Sequence, residues 1–273
     1  MLSIEDIYRE IGRNIFICPL NIDNFRDNSI DLTASEFAWT SDGNNIYDEE
    51  SDRITVPPHM TACILTKESI YVSEKIGGTY HSRVSLVKKG FGHIGTMLDP
   101  KYCGQSLIML HNISDNDLIL ENIKTSPNGV RIVSLVFYYV KTPIYENSLS
   151  TPPSHQDKIG RIDAEGRYAE WISRNPWVNN AKNLKAHFRE KYEKEFKKKR
   201  KYYAQKQNFI SRLRYTKFGP YILKYGFMLI LGGVTVFIVR TFFKQVQSTD
   251  WAAISAAYFI CLINIIMSDI HLF

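Results

Sequence analysis

GTMLDPKYCGQSLIMLHN, Gly95 to Asn112, sets an Asp, a Tyr and several Gly and Pro turn-formers ahead of an apolar run. It reads as the rim of a site at the mouth of a β-hairpin, backed by a strand that carries Met109. The residues around it, 1 to about 143, repeat the pattern. Short apolar stretches (ITVPPHMTACILT, SLIMLHNI, DLILENI, RIVSLVFYYV) are separated by the turn clusters SDGNN, SDND and SPNG. Several alternate apolar and polar residues with period two, so this part is expected to be mainly β, a compact barrel or sandwich. One short helix is expected ahead of it, Ile4 to Ile11, with Ser3 as N-cap. Asp6 takes the third helical position, where a capping box ordinarily has Glu or Gln.

The rest of the chain changes character. ENSLSTPPSHQDK opens a polar, Pro-rich linker, residues 144–180, in which AEGRYAEWISRN is expected to form a short helix stopped by Pro176. Residues 181–217 hold 14 Lys or Arg against 3 Glu, a local charge of +11; the whole chain is +6, which leaves −5 elsewhere. No Gly or Pro interrupts this segment until after Lys217, so it reads as a basic helix. Leu184, Phe188, Tyr192 and Phe196 form its one apolar stripe, for packing or for a coiled coil.

Two apolar runs come next, 221–243 and 251–267, joined by KQVQSTD. Lys224 and Arg240 can snorkel from the ends of the first, and Trp251 is placed as an interfacial anchor for the second. The expectation is a two-pass membrane hairpin over 218–273; the alternative is a pair of buried helices in a soluble protein. Arg212, Arg214 and Lys217 before the first run put the N-terminal part in the cytoplasm by the positive-inside rule. Gly226, Gly232, Gly233 and Asn264 offer packing points within such a hairpin. A basic block beside apolar runs points to a membrane surface and not to nucleic acid. The four cysteines stand apart with no CxxC, which argues against a zinc site or a disulfide framework, and the opening MLSIEDIYREIG is an amphipathic start without the character of a signal peptide.

Five segments together carry a resemblance. LSIEDIYREI with IFICPL, SIDLTASEF (Ser29 to Phe37), SRVSLVKKGF (Ser82 to Phe91), GTMLDPKYCG and GVRIVSLVF (Gly129 to Phe137) are similar to successive motifs of the dCTP deaminase and dUTPase superfamily, in particular its dCTP deaminase branch, over residues 1 to about 140. The resemblance implies a distorted β-barrel that assembles as a homotrimer with nucleotide sites between subunits. It also implies Mg²⁺ carried on the nucleotide phosphates, with no metal ligand from protein side chains and no zinc. Asp99 takes the place of the carboxylate that activates the attacking water in dUTPases, with an Asx turn before Pro100 as the alternative role. Tyr102 takes the place of the aromatic packed against the nucleoside, and Gly104 that of the turn glycine. Arg83, Ser85, Lys88, Lys89 and Arg131 are the implied phosphate ligands.

Other positions depart from the pattern. The Glu that shuttles protons in ring deamination falls on Met109, the motif's Ser on Val84, its second Arg on Lys88 and the Gln of the last strand on Ser134. A thioether carries no proton and Lys lacks the planar fork of Arg, although His111 shares the face of Met109 and can hold a proton. The Gly-rich arm that closes over substrate in dUTPases has no counterpart. Three functions stay open: a membrane-anchored nucleotide sensor that has given up deamination, a tethered dUTPase-type pyrophosphatase using Asp99, and a trimerisation scaffold.

Overall fold

The structure, a computed structural model, describes residues 1–92, 95–142 and 156–206. Its order is α1 (Ile4–Glu10), β1 (Ile15–Cys18), β2 (Ile30–Thr40), β3 (Tyr47–Asp48), β4 (Arg53–Val56), β5 (Thr61–Val72), β6 (Ile76–Ser82), α2 (Val84–Val87), β7 (Phe91–Gly92), β8 (Met97–Leu98), β9 (Cys103–Asn112), β10 (Leu118–Glu121), β11 (Arg131–Tyr139), α3 (Gln156–Ile162), α4 (Arg167–Arg174) and α5 (Ala181–Lys206). The mainly β expectation holds. The distorted barrel takes the form of a curled, half-barrel sheet of eight strands in the order β7-β9-β5-β2-β11-β6-β8, with β1 on β5, and a separate sheet β10-β4-β3. Every pairing between these strands is antiparallel. The stretch read as ITVPPHMTACILT is broken at Pro57 to Met60, giving β4 to one sheet and β5 to the other.

The helix at the start closes its capping box with Asp6: the Asp6 amide donates to Ser3 Oγ at 3.2 Å, and the Ser3 amide donates back to Asp6 Oδ2 at 3.1 Å. The shorter Asp side chain suffices to reach back to the cap, and Asp6 is itself buried beside Ile7 and Tyr8.

The central strands are buried along nearly their whole length; alternation fails in β2 and β5 because both faces are covered. One face encloses the main core, from Ile15 and Ile17 to Leu135 and Phe137. On the other, Phe37, Trp39, Leu65 and Leu107 meet Ile159, Tyr168, Trp171 and Ile172 of α3 and α4. Part of the stretch read as an exposed linker is therefore a packed layer, and α3 begins only a few residues beyond its prolines.

The stripe of α5 lies on the β domain. Phe188 meets Phe16 edge-on at 5.4 Å, Phe196 packs with Tyr8 at 6.1 Å, and the Tyr192 hydroxyl accepts the Leu20 amide at 3.1 Å. Arg200 donates to the Ile11 carbonyl at 2.8 Å and pairs with Glu193. Gly12, at φ +77°, makes room for that guanidinium, since a Cβ there would overlap Arg200 Nη1. The compact unit consequently runs Met1–Ala204, well past residue 143, and Gln205–Phe273 forms a second unit. The runs 221–243 and 251–267, the loop between them and residues 207–217 of the expected basic helix lie outside the described residues; among those described, no helix is long and apolar enough to cross a membrane.

Candidate functional site

The site begins at a buried carboxylate. Asp31, on β2, is 1% exposed and lies opposite Ser134 of β11 in the ladder. Ser134 Oγ donates to its Oδ1 at 2.6 Å, Arg26 Nε donates to Oδ2 at 2.9 Å, and Arg83 Nη1 reaches the same oxygen. Burial pulls the Asp31 pKa up, but the hydrogen bonds from Ser134 and Arg83, the Arg83 charge and the Arg26 contact outweigh it and hold the carboxyl below its ordinary value. One carboxylate thus anchors two guanidiniums, and one positive charge remains uncompensated. Arg83 Nε is itself buried and has no hydrogen-bond partner among the described residues. A buried donor of this kind is costly when left unpaired and marks a place where a ligand atom or water belongs.

Arg83 stands at the entrance of a cavity of about 470 Å³. Ser85 and Lys89 line it beside Arg83, and Gly129, Val130 and Arg131 line it from the start of β11. Arg131 is oriented from behind, its Nε donating to Asn24 Oδ1 at 2.7 Å. Gly129 is required at this corner. Its φ is +69°, and a Cβ there would lie 2.6 Å from Thr33 Cγ2. Three cations, Arg83, Lys89 and Arg131, and the Ser85 hydroxyl thus line one cavity, together with a single carboxylate, Glu121; the cations and the hydroxyl are the donors an anion such as phosphate takes. Among the described residues no three of His, Cys, Asp and Glu come together to hold a metal.

A second cavity of about 120 Å³ shares Asn128 and Gly129 with the first and has Glu68 in its wall. Glu68 is buried, and both of its oxygens are occupied: the Thr33 amide donates to Oε2 at 2.9 Å and the Thr33 hydroxyl to Oε1 at 2.8 Å. Burial pushes its pKa up to about 7, against the opposing effect of those Thr33 bonds. Sequence reasoning passed over Glu68; the available signal was an acid in the tract ILTKESIYV, where a buried strand otherwise runs apolar. Asp31 was likewise quoted within a motif but given no role.

The residues singled out from sequence fall into two groups. Arg83, Ser85 and Arg131 line the larger cavity, with Ser134 behind them on Asp31. Lys88 is exposed at the end of α2, and it is Lys89 that reaches the cavity wall. Asp99 and Tyr102 lie in the turn between β8 and β9, and Gly104 and Met109 lie in β9; the expected hairpin is not formed, because β8 pairs with β6 while β9 pairs with β5 and β7. Asp99 is exposed, and its carbonyl accepts the Tyr102 amide at 3.2 Å. The Tyr102 ring packs against the main core and its hydroxyl donates to the Gln105 carbonyl at 2.5 Å; burial pushes the phenol well above its ordinary pKa. Its face is engaged within the chain. Gly104 is buried with φ +141°. Met109 is 45% exposed, and exposed His111 lies two residues along, its Nδ1 3.1 Å from Thr61 Oγ1.

Comparison with known proteins agrees with the motif reading. No family model matches the chain. Over 134 residues, 49% of this chain, it is 28% identical to the dCTP deaminase of Thermococcus gammatolerans and equally to that of Pyrococcus horikoshii, covering 81% of each. Among solved structures it is similar to the dCTP deaminase of Agrobacterium tumefaciens, at 11% identity and a TM-score of 0.39 over 50% of this chain and 46% of that one. The EIAV dUTPase matches at 21% identity and a TM-score of 0.32, over 51% and 97% respectively. Over about half its length, the chain carries a domain of the dCTP deaminase/dUTPase-like fold.

Proposed function

We propose that the chain is a membrane-anchored protein whose dCTP deaminase-like domain binds a deoxynucleoside triphosphate and senses it without deaminating the base. The observation that carries the reading is the cavity in which Arg83, Ser85, Lys89 and Arg131 converge, with the Arg83 Nε buried and unpartnered. Guanidiniums grip phosphate oxygens in pairs, and Arg131 is already oriented for this by Asn24. Mg²⁺ suits such a site as a passenger on the phosphates, where it offsets their charge. Met109 occupies the position that resemblance gives to the proton-shuttling Glu, and its thioether does not move protons. In the homotrimer that the resemblance implies, the cavity of one copy and the β8–β9 turn of another face a shared ligand. The apolar runs 221–243 and 251–267 supply the anchor, two-pass, with the N-terminal domain cytoplasmic. The basic helix joins ligand to membrane.

A second reading, a tethered dUTPase-type pyrophosphatase, is favoured by one feature: Asp99 is exposed in the turn between β8 and β9, open to a ligand held by a neighbouring copy. A trimerisation scaffold without a ligand leaves the buried Arg83 donor unexplained.

Equilibrium binding of dCTP, dUTP and dTTP with Mg²⁺ to the full chain in detergent tests the proposal. Binding is expected to weaken about tenfold or more in Arg131→Ala, the loss of one charge-assisted pair. Absence of binding to every nucleotide at millimolar concentration would sink the reading. Chromatography of the same mixtures separates the alternatives: intact nucleotide fits a sensor, and monophosphate with pyrophosphate, lost in Asp99→Asn, fits the hydrolase.

A further inference from the structure

The outer face of α5 carries charge that the fold does not use. The helix holds eleven Lys or Arg and three Glu. Some of these cations are spent within the domain: Arg200 on Glu193 and the Ile11 carbonyl, Lys185 over the Tyr71 ring at 3.8 Å, Lys199 over Tyr8 at 5.0 Å. Lys191, Lys194, Lys197, Lys198 and Lys201 are different. All five are exposed, and none makes an ion pair among the described residues. Each has another of the five three or four residues away, so each is the helical neighbour of a like charge, an arrangement that destabilises an isolated helix; Glu190, Glu193 and Glu195 stand at such spacings too, yet none of them pairs with any of the five. The helix dipole rewards cations only in the last turn and does not account for Lys191 or Lys194. Tyr202 stands beside them, 61% exposed and edge-on to Tyr203 at 5.1 Å.

We infer that this face docks on an anionic lipid surface, reading the headgroups of acidic phospholipids. The five lysines cover about 15 Å of helix at the α-helical rise. Repulsion among them is relieved when lipid phosphates and carboxylates come between, and such attraction grows with each lysine near the surface. An amphipathic aromatic beside a basic row is the residue pair that bilayer interfaces select. The nearness of the apolar runs favours lipid over nucleic acid: only 14 residues separate Lys206 from Tyr221, where the first run starts. That tether is at most about 50 Å long. The inference rests on the anchoring reading for its choice of lipid, and the test keeps the two apart.

The full chain is reconstituted in vesicles of phosphatidylcholine, alone or mixed with phosphatidylserine, and its lysines are acetylated with an activated ester and read peptide by peptide. Labelling of Lys194, Lys197, Lys198 and Lys201 is expected to slow about tenfold in the anionic vesicles and to recover in high salt, as a screened attraction must. Lys67 and Lys124, on the β domain, should label alike in both. Equal labelling of the α5 lysines in the two vesicles overturns the inference, as does protection by a DNA duplex but not by phosphatidylserine. Extraction by alkaline carbonate reports on the anchor separately. A chain that is extracted yet still protected when anionic vesicles are added has lost the anchoring reading and kept this one.

Discussion

Asp31 on β2 and Ser134 on β11 face each other across one rung of the sheet, and the 2.6 Å bond between them fixes the carboxylate that holds Arg83. Three chain segments distant in sequence are therefore tied to one buried charge before any ligand arrives. A site organised in this way needs little rearrangement to receive an anion.

Replacing Asp31 by Asn should be costly. It removes the charge that Arg83 and Arg26 share; breaking a buried pair costs about 3–5 kcal/mol. The expected loss lies at the low end, because Arg26 is partly exposed and screened. Denaturant titration of the full chain in detergent measures it. The pH dependence has a definite sign. Asp31 is held below its ordinary pKa in the fold, so its contribution is complete above the unfolded value and disappears as pH falls into the acid range. Asp31→Asn should lack that acid-side loss, and an unchanged acid limb would contradict the assignment.

Glu68 should act in the opposite sense. Its folded pKa is raised from 4.5 to about 7, so its own contribution to stability is complete below about 4.5 and is lost as pH rises through 7. The shift corresponds to on the order of 3 kcal/mol. Unfolding curves at pH 5 and pH 8 should converge in Glu68→Gln relative to wild type. Equal differences in the two proteins would show that another group controls the neutral range.

Gly129→Ala tests the corner between the two cavities. An alanine must take φ +69° and push its Cβ into Thr33, a backbone strain of order 1–3 kcal/mol before any steric repair. Nucleotide affinity is expected to fall along with the melting temperature, since Arg131 is only two residues away. Weakened binding at unchanged stability would mean that the glycine serves the ligand and not the turn.

Phe188→Ala probes the docking of α5. Phe188 is fully buried against Phe16 and Phe196, and such truncations cost about 3–5 kcal/mol. Proteolysis should then open the chain within residues 181–206 first. A variant as resistant as the parent would mean that the helix is held by its polar contacts, above all Arg200 on the Ile11 carbonyl.

Much of this was legible in the residues. Period-two tracts and turn clusters located most of the strands, and the motif order located the cavity that Arg83 and Arg131 line. The misses have physical causes. Glu68 hides because the register of β5 against β9 slips between Leu65 and Ser69, so strand parity no longer tells which side a residue faces. The direction of Tyr102 could not be read because Lys101 adopts φ +66° and turns the chain just before it. The stripe of α5 announced a packing face but not its partner, since helical periodicity carries no information about what lies opposite. Helix α3 is masked by neighbouring prolines that lie outside it.

The covering of the central sheet on both faces has a consequence for how this chain can be cut. Ending it near residue 143 would strip the outer layer and leave Phe37, Trp39, Leu65, Phe16 and Leu107 in water, a broad oily wall on a fragment that keeps its strands. Such a fragment would clump before it could be assayed. The apolar cover of the domain runs on past the last strand into α5, through Phe188 and Phe196.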